Sequence, residues 1–134
     1  MDDFRDAAKR HLDDAQLLFT HTPQRLANAS HLFGLSAECS LKAIAKYLTH
    51  TAHFGGRNGH IPGLFSELKN VSPAMAGNAA LAEKIVALEP QFAHWNVNQR
   101  YTPQDRFTTA KTTQECTGAH DAYRLMTNCL GGLA

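Results

Sequence analysis

Six residues of this chain carry side chains that an anionic, base-containing ligand would need: Arg57, His60, Trp95, Arg100, Tyr101 and Arg106. A guanidinium forms paired hydrogen bonds to phosphate oxygens. Trp and Tyr rings offer faces on which a nucleobase stacks. Lys69 and Lys111 are further cations that could join such a patch. The same residues also have a structural reading. In the run Phe92-Ala93-His94-Trp95-Asn96-Val97-Asn98-Gln99-Arg100-Tyr101-Thr102-Pro103, which is neither helical nor alternating, Trp95 and Tyr101 would be buried anchors. Arg100 would then pair with a carboxylate such as Glu38 across the fold, because a buried guanidinium needs a partner.

Other reactive types are less suitably placed. His50, His53 and His60 flank a Gly-rich stretch and could converge on zinc or nickel, but no carboxylate or thiol is placed to complete the set. Cys116 and His120 stand four apart, a spacing that shares a helix face, without an oxyanion-binding element beside them. Gly55-Gly56 leads into Arg57-Asn58-Gly59-His60 and not into the Gly-Lys-Ser/Thr of a phosphate loop. No catalytic residue, metal ligand or cofactor is assigned on these grounds.

The elements that must position these residues follow from apolar periodicity. Leu26, Ala29, Phe33, Ala37, Leu41, Ile44 and Leu48 recur in steps of three and four across Pro23 to His50, predicting one long helix. Leu32, Leu35 and Cys39 widen its stripe, so other helices should pack on more than one side. Glu38 and Lys42 are spaced for an ion pair along it. A first helix is predicted over Asp2 to Thr20, and the brief His21-Thr22-Pro23 sends the long helix back antiparallel. Leu64, Phe65 and Leu68 mark a short third helix after Ile61-Pro62, and residues 79 to 88 a fourth that Glu89-Pro90 ends. The last helix is predicted from Asp105 to Leu130, with Cys116, Ala119, Tyr123, Met126 and Leu130 inward and Gly131-Gly132 closing it. No stretch alternates long enough for a strand. The expected architecture is all-α, an up-and-down bundle of about five helices in one domain spanning residues 1–134.

Composition narrows the function classes. Thirteen Lys and Arg against 12 Asp and Glu leave a net charge of +1, so phosphate contact must come from a local patch and not from a global field. No apolar run approaches the roughly 20 residues that span a bilayer. The acidic, mixed N-terminus is unlike a signal peptide, and the expectation is a cytoplasmic protein. Three cysteines without close pairing read as buried thiols.

Taken together, Ser30-His31, Ala37-Glu38, Leu41-Lys42-Ala43, His60-Ile61-Pro62-Gly63-Leu64 and Arg100-Tyr101-Thr102-Pro103 resemble, in order and spacing, the HEPN superfamily (higher eukaryotes and prokaryotes nucleotide-binding). The likeness runs from the first helix through Tyr123. It implies a helical bundle, often a homodimer, found beside nucleotidyltransferase partners or in RNA-targeting toxin and defence systems. Catalytic members are similar to one another in an R-x(4-6)-H motif near the last helix, a metal-independent ribonuclease site. This chain departs from it: after Arg100 and Arg106 the next histidine is His120, and Arg57 and His60 are separated by two residues only.

The combined expectation is a non-catalytic or degenerate HEPN-like domain that binds nucleotide, RNA or a nucleotidyltransferase-type protein through the 57–60 and 95–106 loops. One alternative is a ribonuclease toxin of a toxin–antitoxin or defence system with an unconventional site built from His60, Arg100 and Arg106. Another is a purely structural partner subunit. A homodimer is expected through helix faces, with Ser30 and Gly34 small enough to admit a second copy.

Overall fold

Asp3 opens the fold by accepting a hydrogen bond from the Asp6 amide at 3.0 Å, and α1 runs from Phe4 to Thr20. The computed structural model describes residues 3–49, 59–70 and 79–131. The helices that follow are α2 (Leu26–Thr49), α3 (Gly63–Asn70), α4 (Ala79–Leu88) and α5 (Thr109–Leu130). Three short 3-10 turns, Glu89–Phe92, Val97–Tyr101 and Gln104–Arg106, carry the chain from α4 to α5. There is no strand among the described residues, and the bundle is all-α with five helices, as the periodicity predicts. No helix among them is long and apolar enough to cross a membrane. His50, His53 and Arg57 lie outside the described residues, so the 57–60 loop is represented by Gly59 and His60 alone.

Helix α2 is the centre. Twelve of its 24 residues are buried, more than one face can hold, because α1 and α5 both pack along it. Small residues set the closeness of the α1 contact: Ala8 and Ala15 are fully buried, and the Ser36 hydroxyl donates to the Ala8 carbonyl at 2.8 Å. Phe33, Leu41 and Ile44 fill the interior with Leu12, Met126 and Leu130. On α5 the inner row is Thr112, Glu115, Ala119, Ala122 and Met126. Cys116 and Tyr123, expected inward, are only partly buried beside it.

Helix starts differ from the sequence reading where capping decides them. Helix α5 begins at Thr109 and not Asp105, because the Thr108 hydroxyl accepts from the Lys111 amide and the residues before it take the 3-10 turn. Helix α2 begins at Leu26 and not Pro23, after a turn closed by Arg25 N–H donating to the Leu18 carbonyl at 3.0 Å. Gly131 ends α5 with ordinary right-handed backbone, so it does not act as a left-handed cap.

The segment between α4 and α5 is pinned by two aromatic rings, each opposite a glycine. Phe92 lies over Gly118, where an added β-carbon would sit 2.7 Å from its ring. Trp95 occupies the space that a side chain at Gly34 would take. The Trp95 indole N–H donates to the Ser30 carbonyl at 2.9 Å, and the residue is 2% exposed. Trp95 is therefore the anchor expected. Tyr101 is not: it is 77% exposed, since the turn that carries it needs only its other residues to reach α2. Gly34 and Ser30 are covered by their own chain and leave no room for a second copy at that place. Replacing Trp95 with Ala should cost about 3–5 kcal/mol of stability. Gly34→Ala should destabilise as well, because its methyl competes with the indole. Urea denaturation of both variants measures this, and unchanged midpoints would refute the packing described.

Candidate functional site

Two clefts flank the turn Val97–Tyr101, and of the sequence-predicted residues His60 lines one and Arg106 the other. The first begins on α2, where position 38 puts a carboxylate inside the bundle with 2% exposure. A buried carboxylate must find donors. Glu38 Oε1 accepts from the Ile61 amide at 2.9 Å, and Oε2 lies 3.0 Å from His60 Nδ1. Burial pushes the Glu38 carboxyl above its ordinary range, while the Ile61 N–H, His60 and the charge of Lys42 pull the other way. His60 is thereby fixed through one ring nitrogen, while its carbonyl accepts from the Leu64 amide at the start of α3. The side chain is part-exposed and lines a cleft of about 310 Å³ with Ile61, Pro62, Gly63, Asn96 and Asn98.

Two readings of Glu38 are corrected here. It does not pair with Arg100, because His60 and Ile61 take its oxygens. Nor is it half of a solvated pair with Lys42, whose ammonium lies 5.8 Å from the centroid of the Phe4 ring. Arg100 is exposed and sits over Tyr101, its guanidinium carbon 4.8 Å from the ring centroid. That is within cation–π reach. About two turns before Glu38 on α2, His31 stacks on Trp95 with rings 6.0 Å apart. Its Nδ1 is buried without a hydrogen-bond partner, and burial, then the nearby charges of Arg100, His11 and His60, hold its pKa down.

The second cleft, about 150 Å³, lies where the 94–106 segment meets the start of α5. Its floor is a chain of hydrogen bonds whose directions are fixed by the donors. The Asn96 amide donates to Gln99 Oε1 at 3.2 Å, which turns the Gln99 amide nitrogen toward Ser30 Oγ at 2.7 Å. Ser30 must then spend its own proton on Glu115 Oε1, 2.5 Å away. Glu115 is 5% exposed, and burial raises its pKa from 4.5 to about 7 against the opposing pull of Ser30 and Lys111. Arg106, Lys111 and His94 stand exposed around the opening with Thr102 and Thr108.

The predicted residues thus fall out as follows. His60, Arg100, Tyr101 and Arg106 are accessible on or beside the 94–106 segment, whereas Trp95 has no free face for a base. Ser30, Gln99 and Glu115 were missed as a group. The available signal was an acid on the row 112, 115, 119, 122, 126, hidden because the neighbouring row through Cys116 and Tyr123 has an equally good period. Burial raises the Cys116 thiol pKa, and His120 Nδ1 is shared between the Cys116 carbonyl at 2.9 Å and the thiol sulfur at 3.6 Å, which also lies 3.6 Å from Gln16 Oε1. Among the described residues no three His, Cys, Asp or Glu side chains converge as a metal ion would require. No protein-family model, curated protein or solved structure matches the chain.

The Glu115 arrangement has a pH signature. Folding binds its proton more tightly than the unfolded chain does, so stability is fullest below 4.5 and declines until pH passes about 7. The difference is worth ~3 kcal/mol. Glu38, also raised, adds a slope of the same sign. Glu115→Gln keeps an oxygen for Ser30 and removes the charge, so its urea midpoint at pH 8 should rise above that of the parent and converge with it near pH 4. Parallel pH profiles for the two proteins would contradict this.

Proposed function

We propose that the chain is a HEPN-like domain without that superfamily's ribonuclease motif, and that it binds nucleotide or single-stranded RNA through the 94–106 segment. The observation that carries this reading is the exposed Arg100–Tyr101 pair. Its guanidinium has no carboxylate within ion-pair distance among the described residues, and its ring is exposed. Neither group supports the fold, and together they offer one phosphate contact and one stacking face. Arg106 and Lys111 add positive charge at the neighbouring cleft. The resemblance gains support from Glu38 and His60, which belong to separate motifs in the sequence and touch in the fold.

Binding of fluorescein-labelled single-stranded RNA, followed by anisotropy, tests the reading. Stacking contributes about 1–3 kcal/mol per base. The Arg100→Ala, Tyr101→Ala double variant should therefore bind at least about tenfold more weakly with its fold intact, and equal binding would refute the site. The same RNA should remain uncut in the presence of a metal chelator. Cleavage abolished by His60→Ala would favour the ribonuclease alternative.

For the homodimer, one candidate surface is a groove of about 300 Å³ between α4 and α5, where Ala87, Leu88 and Leu125 are flanked by Lys84, Asp121, Arg124 and Asn128. Val86, on the same helix α4, is 52% exposed. Light scattering should give twice the 14.7 kDa of one chain, reduced to one chain by Val86→Glu. A single-chain mass for the parent protein removes the dimer.

A further inference from the structure

The cleft over Glu115 is too small for a whole nucleotide but has room for a single base, and its two ends differ in charge. At the floor is a carboxylate; at the opening are Arg106 and Lys111, with His94 beside them. A ligand that satisfies both ends must carry N–H donors on one side and negative charge on the other. The direction of the floor hydrogen bonds sharpens this. Gln99 cannot turn its amide without losing the Asn96 N–H, so the Ser30 proton always points to Glu115 Oε1. Oε1 is therefore an acceptor in every state and keeps a second lone pair, and Oε2 has no partner among the described residues, so two adjacent acceptors face whatever enters. An ionised carboxylate accepts and cannot donate.

Among the common bases, guanine alone presents two adjacent donors, N1–H and the N2 amine, on its Watson–Crick edge. Adenine presents one donor beside an acceptor nitrogen, which would face the carboxylate's lone pairs. Building on the nucleotide reading above, we propose that the Glu115 cleft is a guanine-selective subsite, with the base edge on Glu115 and the phosphate at the opening on Arg106 and Lys111. Burial keeps the empty acid close to neutral pH in its titration, and donors from a guanine edge would favour its ionised form.

Isothermal titration calorimetry with GMP and AMP at pH 8 tests this on the parent protein and on Glu115→Gln, with circular dichroism to verify that the variant is folded. The parent should bind GMP at least about tenfold more tightly than AMP. In Glu115→Gln the preference should vanish or invert, because a glutamine amide offers the donor–acceptor pair that adenine matches. Arg106→Ala should weaken both nucleotides alike. Equal GMP and AMP binding by the parent, or a GMP preference that survives Glu115→Gln, would overturn the guanine subsite and leave RNA binding through Arg100 and Tyr101 standing. Absence of binding by either nucleotide would overturn the subsite, and only the anisotropy result for RNA would then decide the broader reading.

Discussion

Beside the packed rings of Phe92 and Trp95, the buried hydrogen bonds that hold the segment between α4 and α5 to the bundle converge on one residue, Ser30. Its carbonyl takes the Trp95 indole proton at 2.9 Å, and its hydroxyl stands between Gln99 at 2.7 Å and Glu115 at 2.5 Å. A serine in the middle of a helix gains little by itself. Here it joins three parts of the chain, the central helix, the loop before the last helix and the last helix itself. Removing the hydroxyl would leave a buried amide and a buried carboxyl without partners, and each such group costs about 1–3 kcal/mol. Burial of polar groups on α2 is thus what fixes the geometry of everything between Phe92 and Arg106.

Glu38 repeats the device eight residues on. Its two oxygens hold the Ile61 amide and the His60 ring, so α3 is entered at a defined angle and His60 faces the first cleft. The carboxylate is costly to bury, as its raised pKa records. An apolar residue there would pack with less penalty but would release both His60 and the start of α3. The central helix therefore trades stability for two fixed attachments, and each attachment borders a cleft.

Much of this was legible from periodicity. The long apolar stripe from Leu26 to Leu48 specified the central helix, and the brief connection before it specified the antiparallel hairpin. Trp95 as anchor followed from an aromatic ring in a segment too polar to fold alone. What periodicity could not give was the partner of each polar group. Glu38 sits at a spacing that suits Lys42, yet tertiary contact delivered His60 and Ile61 instead. Tyr101 was read inward with Trp95 because both are aromatic, but only Trp95 has a glycine opposite it, and no local signal pairs Gly34 with a ring sixty-one residues away. Glu115 was obscured by two overlapping rows on α5, since an apolar stripe two residues wide has no unique centre.

The two clefts also share a wall. The capping box of the turn Val97–Tyr101 links Asn96 and Gln99, and Asn96 lines the cleft of His60 while Gln99 lines that of Glu115. The connection runs through directed hydrogen bonds whose order of donors and acceptors is set by the Asn96 backbone N–H. Arg100 and Tyr101 lie at the end of that same turn, exposed and outside the chain of bonds. The fold thus keeps its buried connections on the inner residues of the turn and leaves the outer two free of structural duty, which is what the proposed contact with a ligand would require.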